Sequence, residues 1–215
     1  MAQKPSRALR VVLWSTAIIV LIILAFTAWL VVPIVASSSA GSSGQPLGVE
    51  GYPSSVSATG DDGRTRTLSV TLENAQGRGL DQLVSGDRLV VTGQGYDPDK
   101  GIYVAVCAIP DQVDTKPGPC LGGVPSTEVL DQPGVAAIEF APSNWVNDDW
   151  AWRLFGARSF DDRDQGSFSA YIEVGEDPES GVDCAVDACG LYTRNDHTAL
   201  DDRVQDLYVP VLFVK

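Results

Sequence analysis

The sequence predicts an all-β domain, an antiparallel sandwich of about seven short strands, carried behind one N-terminal transmembrane helix. Three observations predict it. A 26-residue run without a charge, VVLWSTAIIVLIILAFTAWLVVPIVA, occupies positions 11–36. From Thr67 the apolar period is two, in short segments rich in Val, Ile, Tyr and Phe and divided by Gly, Pro, Asp and Asn. No segment after the first run carries a sustained helical stripe.

Residues 1–10 form a basic N-terminus. Lys4, Arg7 and Arg10 precede Val11, and no acid stands with them. About 20 apolar residues span a bilayer as a helix, so 11–36 is long enough, with Trp14 and Trp29 towards its two ends, where amphipathic rings favour the interface. Positive charge on the N-terminal flank alone places that end in the cytoplasm and everything beyond Pro33 outside. The competing reading is a cleaved signal peptide, with small residues at Ser38 and Ala40 as a cleavage point. Its apolar core is longer than the usual 7–15 residues, which favours an uncleaved anchor in the cell membrane. The helix has no GxxxG pattern to drive dimerisation.

Residues 37–66 are dominated by Ser, Gly and Pro without periodicity and read as a flexible linker, spanning roughly 30 Å as a random coil. The domain at 67–215 comes next. Its expected strands include TLSVTLE (67–73), DRLVVTG (87–93), GIYVAVCA (101–108), GVAAIEF (134–140), SFSAYIEV (167–174) and DLYVPVLFV (206–214). Pro210 inside the last of these lacks the ladder donor and marks an edge or a bulge.

Beyond the first ten residues stand 12 basic and 28 acidic side chains, a net charge of about −16. Such a domain repels nucleic acid and anionic headgroups and suits basic protein partners. Acid also keeps an exposed domain soluble. The segment SNWVNDDWAWRLFGARSF (143–160) reads as an insertion holding Trp145, Trp150, Trp152 and Phe155. These rings either fill the core or cover a sheet edge, or they form a contact surface for a partner, a ligand or a membrane interface.

Cysteines stand at 107, 120, 184 and 189. The spacings C-x12-C and C-x4-C lack the paired knuckles of a zinc site, and no redox C-x-x-C is present. Outside the cell, two disulfides are the simplest reading. Of the three connectivities, 107–120 with 184–189 is the local one and fits a loop and a turn.

Three stretches resemble the neocarzinostatin family of actinobacterial secreted proteins: VTGQGYDPDKGIYVAVCA (91–108), VDCAVDACGLYTRND (182–196) and the terminal DLYVPVLFVK. The resemblance covers about 67–125 and 167–215. It implies a seven-stranded immunoglobulin-like sandwich and disulfides Cys107–Cys120 and Cys184–Cys189. It also implies a cleft beside the first disulfide, with Ala108 and Leu121 at its floor, where some members carry an enediyne chromophore. This chain departs from that pattern. The link before its second disulfide, GEDPESG (175–181), has no aromatic residue, and the tryptophans stand in an earlier segment.

His197, the single histidine, lies in the polar run RNDHTALDD and reads as a solvated loop residue. No GxSxG elbow, P-loop, HExxH or dinucleotide fingerprint occurs. The acid runs DPD (97–99) and DDRDQG (161–166) read as turns, because the calcium-loop Glu counted from Asp161 falls on Ile172. No catalytic residue, metal ligand or cofactor is expected. The expected function is an accessory, non-catalytic binding and assembly module of a membrane-protein complex, respiratory or envelope-building. The alternative is a small-molecule carrier or sensor using the cleft.

Overall fold

The computed structural model describes residues 7–36, 41–113, 115–122, 140–175 and 179–214. The chain divides into two compact units, one up to Ser37 and one from Ser38. The first holds α1, Arg7–Ala36, whose span Arg10–Trp29 is long and apolar enough to cross a membrane. Its two threonines return their hydroxyls to the helix, Thr16 to the Val12 carbonyl and Thr27 to that of Ile23.

The second unit is built from two antiparallel four-stranded sheets, an arrangement that fits a β-sandwich. β1 (Ser55–Thr59), β2 (Thr65–Leu72), β3 (Arg88–Gln94) and β6 (Phe168–Glu173) form one sheet in the order β1-β2-β3-β6. β4 (Ile102–Ala108), β5 (Ser143–Val146), β7 (Cys189–Asn195) and β8 (Tyr208–Val211) form the other, ordered β5-β4-β7-β8. A short helix, α2 (Trp150–Arg153), comes after β5.

The first sheet shows why its strands were legible. Leu68, Val70 and Leu72 of β2, Leu89 and Val91 of β3, and Phe168, Ala170 and Ile172 of β6 are buried, and the residues between them face outward. On the wet face the hydroxyls of Ser55 and Ser69 meet at 2.8 Å, and so do those of Thr59 and Thr65. From the second sheet Ile102, Val104, Val106, Val146, Leu191, Val209 and Val211 complete the core between the layers. Each such aliphatic side chain contributes about 1.5–3 kcal/mol by leaving water. Arg66 is fully buried, paired with Asp62 at 2.5 Å and set 5.9 Å from the centre of the Tyr96 ring. Its guanidinium holds the Asp62 carboxyl below the usual carboxylate range.

The second sheet differs because both its faces are covered. β5 and β8 are buried at every position, and β7 at all but Arg194. Ala105, Cys107, Tyr192 and Tyr208 on its outer side pack with Leu47, Val49, Ile109 and Cys120. Such strands lose the alternation of a half-wet sheet.

Several expectations are corrected here. The stretch 41–66 is no flexible linker. Arg203 N donates to the Gly41 carbonyl, Asp61 N donates to that of Ser42, β1 lies within it, and β2 begins at Thr65. The residues responsible are polar side chains with specific backbone partners and the pair Leu47 and Val49. The segment 143–160 is not a separate insertion, since its first four residues are β5, an edge strand beside β4. Of the expected strand 134–140 only Phe140 is described, and it lies in no strand. Eight strands stand among the described residues; β1 and β5 were not expected, and β7 was expected only from the family resemblance of 182–196, not from its period. Pro210 sits on β8, an edge strand, opposite Gly190.

Candidate functional site

Both disulfides form, Cys107–Cys120 and Cys184–Cys189. The first ties the end of β4 to the loop that rises over the outer face of the second sheet. Ala108 is half-buried at the strand end and bonds through its N–H to the Pro119 carbonyl. Leu121 turns into the core between the sheets. Among the described residues, the chain's own Leu47 and Val49 pack on this face of the sheet, in the same cluster as Cys107 and Cys120.

Gln45 holds that segment in place. Its side-chain amide accepts from Tyr208 N–H at 2.7 Å and donates to the Tyr208 carbonyl at 2.7 Å, as a neighbouring strand would. The edge of β8 is thereby closed. Gly48 N donates to the Tyr208 hydroxyl, and Tyr208 stacks on Tyr192 with ring centres 4.9 Å apart. A cavity of about 20 Å³ remains, lined by Ser43, Gln45, Val113, Tyr192, Asp206 and Tyr208 among others. It has room for one water molecule.

Asp206 is the unusual group in that cavity. One carboxylate oxygen accepts from Arg203 at 2.9 Å, and the other is buried without a partner. Burial pushes its carboxyl up to about 7 against the pull of Arg203. A carboxyl whose folded value is raised contributes stability that is complete below its unfolded value near 4 and is lost as pH rises through 7. The wild type is therefore expected to lose up to about 4 kcal/mol between pH 4 and 8 from this residue. Asp206→Asn should lack that component, seen as a flatter pH profile in urea titrations. Parallel profiles for the two proteins would show that Asp206 does not titrate in this way.

The tryptophans fall on both sides of the surface. Trp145 on β5 is buried, so it is corrected from contact residue to structural pin. Its Nε1 donates to Asp196 at 2.8 Å, and the Asn147 amide donates to the same oxygen at 2.8 Å. The other Asp196 oxygen accepts from the Thr198 N–H and hydroxyl. An added Cβ at Gly101 would run into this carboxylate and into Asn147, which is why the chain has glycine there. His197 is not a free loop residue. Its Nδ1 meets the Tyr103 hydroxyl at 2.8 Å, and its ring lies 4.6 Å from that of Trp152 and 5.3 Å from that of Trp145. Burial pushes the Tyr103 phenol up to about 12. The Asp196 carboxylate is thus occupied by structural donors, not by the imidazole.

α2 grows out of this stack. Asp149 caps it, its carboxylate accepting from Ala151 N–H at 2.9 Å. Trp152 is half-buried against His197, while Trp150, Leu154 and Phe155 are 66%, 69% and 57% exposed. The acid runs form turns. Asp97 and Asp162 accept backbone N–H groups two residues on, and Arg163 binds Asp99 at 2.7 Å and Asp148 at 2.6 Å. Among the described residues no group of three His, Cys, Asp or Glu side chains is placed to hold a metal.

No family model matches this chain, and neither a curated protein nor a solved structure does.

The covering segment was missed because its signal is only L-G-V, two apolar side chains at spacing two inside a Ser/Gly run. The pinning role of Asp196 has little local signal, since only Thr198 is near it in sequence and Trp145 and Asn147 are 51 and 49 residues away.

Proposed function

We propose that the protein is a membrane-anchored, extracytoplasmic binding and assembly module, a non-catalytic accessory subunit of a larger membrane-protein complex. In this reading α1 is an uncleaved anchor with its N-terminus in the cytoplasm. The outer unit is an immunoglobulin-like sandwich of neocarzinostatin type, and the two local disulfides and the pair of four-stranded sheets support that likeness. One observation carries the reading. Among the described residues, the chain's own half-buried Leu47 and Val49 pack on the face beside the first disulfide, whereas Trp150, Leu154 and Phe155 stand in water. A carrier needs the opposite arrangement, an open apolar cleft with its aromatic residues turned in. Exposed aromatic residues on a capped, rigid turn suit a contact surface. The net charge of about −16 beyond the basic N-terminus favours hosts with basic outer faces.

The test is purification of the full-length, C-terminally tagged chain from its native membrane in mild detergent, followed by native mass spectrometry. A stoichiometric complex containing the intact 22.8 kDa chain is expected. A solitary chain beginning after Ala40, or a solitary chain with a small adduct, would overturn the reading.

A further inference from the structure

We propose that residues 41–49 are a strap held closed over the outer face of the second sheet by one proton on Asp206, and that they open when that proton leaves. The strap is a pH-sensitive device of the fold itself, independent of what the protein binds.

The geometry is that of a cover tied on both sides of the group it covers. On one side Arg203 N donates to the Gly41 carbonyl at 2.9 Å, and Ser42 pairs with Arg203 in a parallel bridge. On the other, the Gln45 amide pairs with the N–H and carbonyl of Tyr208. Asp206 stands between these two ties, in the wall of the cavity that Ser43, Gln45 and Leu47 close. The strap therefore takes water away from Asp206, yet donates no hydrogen bond to it. Oδ2 accepts from Arg203, and Oδ1 is buried without a partner. A neutral carboxyl tolerates those surroundings far better than a carboxylate with one oxygen unsolvated. Residues 41–49 belong to none of the eight strands, so lifting them gives the carboxylate water while both four-stranded sheets stay paired. Opening uncovers the outer edge of β8 and the cluster of Ala105, Cys107, Tyr192 and Tyr208.

The charges around Asp206 leave it as the group that changes. The strap, GSSGQPLGV, carries none. Arg203 and Asp202 lie on the same segment as Asp206, with Asp202 itself paired to Lys100. Arg194 faces it from β7, and Lys116 from the loop of the first disulfide, where Asp201 also acts on that lysine. The two arginines pull Asp206 towards ionisation, and burial outweighs them, which places its carboxyl at about 7. Tyr208 shares the cavity wall, and burial pushes the phenols of Tyr96 and Tyr192 up, away from this range. A carboxyl raised in the closed form and ordinary in the open form favours closure below about 7. Above that value it favours opening, about tenfold more per pH unit.

The experiment is amide hydrogen exchange of the full chain in detergent micelles, read by NMR from about pH 6 to 9, with each rate divided by its intrinsic value. The reporters are the Tyr208 N–H, bonded to Gln45, and the N–H of fully buried Leu191 on the inner strand β7. Exchange at Leu191 needs the sheet to open, whereas exchange at Tyr208 needs only the strap. The expected result is weaker protection at Tyr208 than at Leu191 throughout, insensitive to low urea. Protection at Tyr208 should fall about tenfold per pH unit above 7, and Asp206→Asn should abolish that fall. Equal protection at Tyr208 and Leu191 at every pH overturns the proposal, because the strap then opens only with the whole unit. A fall that Asp206→Asn shares overturns it too, because the proton then sits elsewhere. If the variant does not fold, the wild type decides alone: protection at Tyr208 that stays flat across this range overturns the proposal.

Discussion

Replacing Asp196 by alanine is expected to destabilise the sandwich by about 4 kcal/mol, a large part of the 5–15 kcal/mol that an ordinary domain has. Asp196 is fully buried, and its two oxygens accept four hydrogen bonds, from Trp145, Asn147 and the N–H and hydroxyl of Thr198. Alanine deletes all four acceptor sites at once. The indole and amide donors are then left buried without partners, which costs more than the bonds themselves were worth. Asp196→Asn is the informative comparison. Its one carbonyl can serve either Thr198 or the Trp145 and Asn147 pair, and its NH2 then faces donors on the other side. A loss of about 2 kcal/mol is expected. Urea titrations followed by near-UV circular dichroism measure both. A stability for Asp196→Ala within about 1 kcal/mol of wild type would show that the carboxylate is not the pin. Because Trp145 and Trp152 pack against each other at the base of α2, with ring centres 5.7 Å apart, the same substitution should also loosen the exposed turn and increase solvent quenching of its indoles.

Removing the first disulfide, as Cys107→Ser with Cys120→Ser, is expected to cost about 3 kcal/mol. The bridge closes a loop of 14 residues, and opening it returns that loop's conformational freedom to the unfolded chain. For a domain of this size the melting temperature should fall by roughly 10 °C. The bridge also anchors Leu121 in the core and the loop carrying Val113 and Thr115 over the Tyr192–Tyr208 stack. The variant should therefore open the small cavity as well, read as faster hydrogen exchange at the N–H groups of Gly48 and Tyr208. Cysteines 184 and 189 close a shorter loop, and their removal should lower the melting temperature less. Equal losses for the two bridges would contradict loop closure as the source of stability.

The extent to which the fold was legible depends on how many of a strand's faces meet water. β2, β3 and β6 alternate between core and solvent, so their period of two reads directly from TLSVTLE, DRLVVTG and SFSAYIEV. β4 was legible by composition, from its run of β-branched and aromatic residues. β5 escaped because SNWV, four residues buried on both faces, has no period to show. β1 escaped because SVSAT is small and polar, and its place in the sheet comes from pairing with β2 after the turn at Gly63, whose φ of +75° favours glycine.

The properties that the sequence determined alone are those that single residues or short runs possess. They are an uncharged stretch long enough to cross a membrane, the acidity of the chain beyond it, the half-wet strands and the two local cysteine pairs. Tertiary structure decided the rest. It turned an expected linker into a cover, because the Gln45 amide finds the free edge of Tyr208 163 residues away. It divided one tryptophan cluster into a buried pin and an exposed tip, because the Asp196 carboxylate lies within reach of Trp145 and not of Trp150. A hydrogen bond or an apolar contact depends on where its partner arrives in space, and a local reading of the chain carries no record of that arrival.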